Sequence, residues 1–126
     1  MEMSPGELLD KLAIIQLKSE RIDPRTVQGE LSQLQRAFAQ TRQKAPELTV
    51  RWEDLLELLK IINSYIWDLE ADIRKGREGD LGLEEVGRRA LMIRDLNRIR
   101  VWTKNLLCRA SGLGAEEIKK DHASAR

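Results

Sequence analysis

Two long stretches of apolar residues at helical spacing, from about Leu48 to Lys75 and from about Leu83 to Arg109, constrain this chain more than any other feature. In the first, Leu55, Leu58, Leu59, Ile62, Ile66, Leu69 and Ile73 recur every three or four residues and so share one face of a helix. In the second, Met92, Leu96, Ile99, Thr103 and Leu106 do the same, with Ile93 and Leu107 beside them. Gly76 and Gly79 lie between the two and turn the chain back. Each helix would be roughly 40 Å long at 1.5 Å per residue.

Two shorter helices precede this hairpin. Ser4-Pro5-Gly6-Glu7 reads as a capping box with Pro at the first helical position. Leu8, Leu12, Ile15, Ser19 and Ile22 then share a face, and Asp23-Pro24 stops the helix. Helix two is expected from about Thr26 to Lys44, with Val27, Leu31, Leu34 and Phe38 as its stripe. Gly29 weakens it by about 1 kcal/mol relative to Ala, which makes it the least stable of the four. Pro46 separates it from helix three, and Ser111-Gly112-Leu113-Gly114 ends helix four. The expected fold is all-α, an antiparallel bundle of four helices dominated by the helix-three/helix-four hairpin. Residues 1–114 form one domain, and 115–126 a short charged tail. The long hairpin outreaches its neighbours and leaves apolar surface bare, so a homo-oligomer is expected, with a dimer favoured.

Composition narrows the function classes. Aromatic residues are 4% of the chain, too few for a sheet-rich fold. The net charge of +1 supplies no field that commits the protein to nucleic acid or an anionic membrane. Cys108 is the single cysteine, so an intrachain disulfide is excluded. No apolar run approaches the roughly 20 residues that span a bilayer. There is no apolar signal region, so the cytoplasm is the expected compartment.

Several polar residues interrupt the apolar faces. On helix three, Asn63, Glu70 and Arg74 lie along one line at i, i+7 and i+11, next to Trp67. Arg89 and Arg100 are eleven residues apart on helix four and share a face, while helix one offers Lys18. A cluster of Asn63, Trp67, Glu70, Arg74, Arg100 and Lys18 could hold a small anion, such as a sugar phosphate or carboxylate, between helices. The competing reading is structural: Glu70 pairs with Arg74 or Arg100 and fixes the helix register.

Other chemistries find less support. Seven basic residues between Arg88 and Arg109 stand against Asp95 alone, and Arg94 and Arg98 share a face with Trp102. Such a stripe can bind phosphate backbones, but helix three is acidic and complements it, so nucleic acid is disfavoured. His122 is the only histidine and lies in the tail, so no metal site and no cofactor are expected. No Ser-His-Asp or Cys-His set can be assembled, which weighs against an enzyme.

The blocks Ser4-Pro5-Gly6-Glu7-Leu8-Leu9-Asp10-Lys11-Leu12, Asn63-x-x-Ile66-Trp67-Asp68-Leu69-Glu70-x-x-Ile73-Arg74 and Asn97-x-x-Arg100-x-x-x-Lys104 carry a resemblance. They resemble an uncharacterised bacterial family of small helical proteins, a domain of unknown function often encoded near sugar-transferase genes. The resemblance implies a helical fold and a recurring polar motif, and it names no reaction. The chain departs from the family pattern at Gln16, where an acidic residue is usual, and after Gly114. Taken together, these features point to a non-enzymatic oligomeric scaffold or protein-interaction module. A small-anion binding protein or enzyme is the alternative.

Overall fold

The computed structural model describes residues 3–45, 51–75 and 81–113, and these form four α-helices: α1 (Pro5–Arg21), α2 (Pro24–Lys44), α3 (Trp52–Lys75) and α4 (Leu83–Ser111). No strand occurs among the described residues. The glycines Gly76 and Gly79, Pro46, and the tail from 114 with His122 lie outside the described residues.

The helix boundaries follow from local chemistry. Ser4 caps α1: its hydroxyl accepts the Glu7 amide at 3.2 Å, and Pro5 occupies the first turn, where no amide donor is needed. Asp23-Pro24 ends α1 and also begins α2, two residues before the expected start at Thr26. The Asp23 carboxylate accepts the Arg25 amide at 2.9 Å and so acts as an N-cap. α3 starts at Trp52, with Arg51 outside the helix, and the expected start at Leu48 lies outside the described residues. α4 ends at Gly112, whose φ of 68° is a left-handed conformation natural to glycine; its amide donates to the Cys108 carbonyl at 3.1 Å.

The helices pack as a bundle built around α1. That helix packs against all three others, α3 and α4 pack against each other, and α2 rests mainly on α1. One part of the core joins Leu9 and Ala13 of α1 to Trp52, Leu55 and Leu59 of α3 and Leu107 of α4. The other joins Leu8, Leu12 and Ile15 of α1 to Leu34, the one fully buried residue of α2. Trp52 connects the two layers: it is 3% exposed, meets Phe38 edge-on at 6.1 Å, and donates its indole N–H to the Ala45 carbonyl.

α4 is the exception to this burial. At 29 residues it is the longest helix, yet its buried residues, Thr103, Lys104, Leu107 and Cys108, all fall in its last third. In its earlier turns Ile93 and Leu96 are half-buried, and Arg89 pairs with Asp72 of α3. Leu91, Met92, Ile99 and Trp102 remain about half exposed on its outward side.

Candidate functional site

The most buried charged group among the described residues is a carboxylate on α1. Asp10 is 4% exposed and lies on the side of α1 that faces α4, between Gly6 and Ala13. These small neighbours let the helices approach closely. A Cβ on Gly6 would stand 2.6 Å from the Lys104 carbonyl oxygen, so only glycine fits there.

A buried carboxylate is stable only if it is paired and hydrogen-bonded. Asp10 meets both conditions. The Arg100 guanidinium donates from Nε to Oδ1 at 2.9 Å and from Nη2 to Oδ2 at 2.6 Å, a two-pronged grip. The Asn63 amide donates to Oδ1 at 2.9 Å and also to the Leu59 carbonyl at 2.9 Å, using both of its hydrogens. Lys104 Nζ stands 3.8 Å from Oδ2, its stem buried along the same interface. Arg100 also donates from Nη1 to Asn97 at 3.2 Å. Three helices therefore converge on one carboxylate.

This arrangement corrects the pairing expected from sequence. Arg100 pairs with Asp10, and Glu70 is exposed on α3. Arg74, one turn further, is exposed as well. The last residue of α1, Arg21, reaches Asp68 at 2.7 Å and stacks 5.4 Å above the half-buried Trp67 ring. α1 thus ends near that level, and Glu70 and Arg74 lie past it. Lys18 is exposed on α1. Arg89 joins Glu85 and Asp72 near the far end of the hairpin, away from Asn63. Of the expected cluster, Asn63 and Arg100 meet, Trp67 sits beside them in sequence under Arg21, and Glu70, Arg74 and Lys18 stand apart. Asp10 is the missing centre. Its signal in the sequence is an acid on the line Gly6-Asp10-Ala13, where small residues mark a close helix contact.

Two open grooves flank α1. One, of about 460 Å³, lies among α1, α2 and α3 and is lined by Gln16, Ser19, Leu31 and Leu56. The other, of about 540 Å³, lies between the end of α1 and α3. Arg21 and Lys60 line this second groove, and each faces an acid across it: Asp68 for Arg21, Glu20 for Lys60. Neither groove is lined by Asp10, Asn63 or Arg100. The node is a set of charges that ties three helices together, with its carboxylate buried and its guanidinium partly exposed. Among the described residues no group of three or more His, Cys, Asp or Glu side chains could hold a metal ion, and no helix is long and apolar enough to cross a membrane. No family model, curated protein or solved structure matches this chain.

Proposed function

We propose that this protein is a non-enzymatic helical scaffold of the cytoplasm that works by assembly, with a homodimer as its basic unit, and that it engages its partners through the α3/α4 hairpin. The observation that carries this reading is the bare outward side of α4, where Leu91, Met92, Ile99 and Trp102 are 52%, 47%, 47% and 58% exposed. A set of large apolar side chains along one helix marks an interaction surface more often than a free one. Among the described residues, α2 rests mainly on α1 and away from this side of α4. The polar node adds support from the other direction, because Arg100, the cation best suited to hold a small anion, is gripped by Asp10. The resemblance of the helix-one and tryptophan blocks to the family encoded near sugar-transferase genes supports a role alongside such enzymes.

Sedimentation velocity over a micromolar concentration series tests the reading. The wild-type chain is expected to shift from monomer to dimer, and Ile99→Glu to stay monomeric with an unchanged helical circular dichroism spectrum. A wild-type chain that remains monomeric throughout, and that no partner retains, would sink the proposal.

A further inference from the structure

The outward side of α4 carries a regular seam. Glu84, Arg88, Leu91, Asp95, Arg98 and Trp102 follow one another in steps of four, three, four, three and four, and every one of them is exposed. The same step pattern leads on through Asn105 to Arg109. The row keeps the 3.5-residue spacing with which one helix can track another, with Leu91 and Trp102 as its apolar members and charged or polar residues at the other positions. Met92 and Ile99, both half exposed, lie together on one flank of the seam.

Resting on the self-association reading above, we infer that the occupant of this seam is α4 of a second copy, laid antiparallel about a two-fold axis that crosses the helix between Leu96 and Asn97. In that register Leu91 meets Trp102 of the other copy, Asp95 meets Arg98, and Glu84 meets Arg109. Each contact occurs twice, as an isologous interface requires. Charge selects the direction. Glu84 and Asp95 pair within α4 with Arg88 and Arg94 at the surface; antiparallel packing adds an arginine of the second copy to each acid, whereas parallel packing stacks Arg98 on Arg98, Arg109 on Arg109 and Asp95 on Asp95. The helix dipoles oppose one another in the antiparallel arrangement and reinforce the preference.

The size of the face agrees with a dimer. Two helices side by side at about 10 Å spacing present a face roughly 20 Å wide. From Leu91 to Leu106 it runs about 24 Å. That gives on the order of 500 Å² per copy, or about 1,000 Å² in all, which reaches the lower bound for a specific interface and fits an affinity in the micromolar range.

Disulfide trapping tests the register. Glu84→Cys and Arg109→Cys are both at exposed positions, and the native Cys108 is buried. Mixed in equal amounts and oxidised, the two variants are expected to form a disulfide with each other, while each alone stays uncrosslinked. Self-crosslinking of either variant alone would indicate parallel packing and overturn the register while leaving self-association intact. A dimer in sedimentation with no disulfide in any combination overturns it too. A monomer under all conditions removes both this inference and the reading beneath it. Charge reversal supplies a second route: Asp95→Arg and Arg98→Asp should each weaken dimerisation roughly tenfold or more, and the double variant should restore it. Failure of the double variant to recover, with its helical content intact, overturns the pairing of Asp95 with Arg98.

Discussion

Arg100 of α4 grips Asp10 of α1 with two nitrogens, at 2.9 and 2.6 Å, across 90 residues of sequence. The carboxylate is almost fully buried, whereas the guanidinium side chain is 27% exposed. The two ends of this pair therefore respond differently to mutation.

Removing the acid should cost more than removing the pair. Asp10→Ala leaves Arg100 and Lys104 without their shared anion and is expected to destabilise the fold by about 2–3 kcal/mol, since partial exposure of Arg100 softens the usual penalty for breaking a buried pair. That corresponds to a fall in Tm of about 10 °C. The double variant Asp10→Leu with Arg100→Met should recover more than half of the loss. Thermal melts of both variants by circular dichroism check the ordering.

Two glycine-to-alanine changes should have opposite signs. Gly6→Ala drives a methyl group into the Lys104 backbone, so α1 and α4 must separate, at a cost of about 1–3 kcal/mol. Gly29→Ala meets nothing within 4 Å on exposed α2 and should stabilise by roughly 0.5–1 kcal/mol. Urea unfolding midpoints of the two variants compare them directly.

α2 should open before the rest of the fold. It buries only Leu34 fully and rests mainly on α1. Its last turns are tied to α3 by a surface ion pair between Arg42 and Glu53 and by the Phe38–Trp52 contact. Such a surface pair contributes less than about 1 kcal/mol. Amide hydrogen exchange should therefore be fastest in residues 26–44 among the helical amides, with α1 and the first half of α3 slowest.

The three tryptophans make the fluorescence informative. Trp52 is buried, Trp67 is half-buried beneath Arg21, and Trp102 is 58% exposed. At low concentration acrylamide should quench mainly the Trp102 emission. As concentration rises, that emission should shift to shorter wavelength and lose its accessibility. Trp102→Phe should abolish this concentration dependence and leave the rest of the spectrum unchanged.

Features set by neighbours in sequence were the legible ones. Ser4 and Pro5, Asp23 and Pro24, and Gly112 act on the few residues around them, and the fold uses each as a start or stop. The four helices and the all-α class follow from the apolar spacing. What remained hidden depends on which helix lies where. α1 reads as a helix with one apolar face, Leu8, Leu12 and Ile15. It is in fact surrounded, so Leu9, Asp10, Ala13 and Leu17 are buried as well. An acid beside a single apolar stripe looks solvated, and only the central position of α1 makes Asp10 the hub of the polar node. Glu70 and Arg74 mislead for the converse reason: they continue the line of Asn63, but α1 has ended by that height. Arg100 and Asn63 were visible as polar residues on buried faces, and their common partner was not.

The position of α1 at the centre also sets an order of events at the ribosome. Its partners emerge after it, and at roughly 5–20 residues per second the Asp10 carboxylate waits about 5–20 s for Arg100. α2 follows at once and covers Leu8, Leu12 and Ile15. α1 and α2 alone would leave Asp10, Gly6 and Ala13 beside Leu9 on the side of α1 that α3 and α4 cover in the finished fold. The residue that locks the finished fold thus also interrupts the apolar surface of α1 on the side that the α3/α4 hairpin covers.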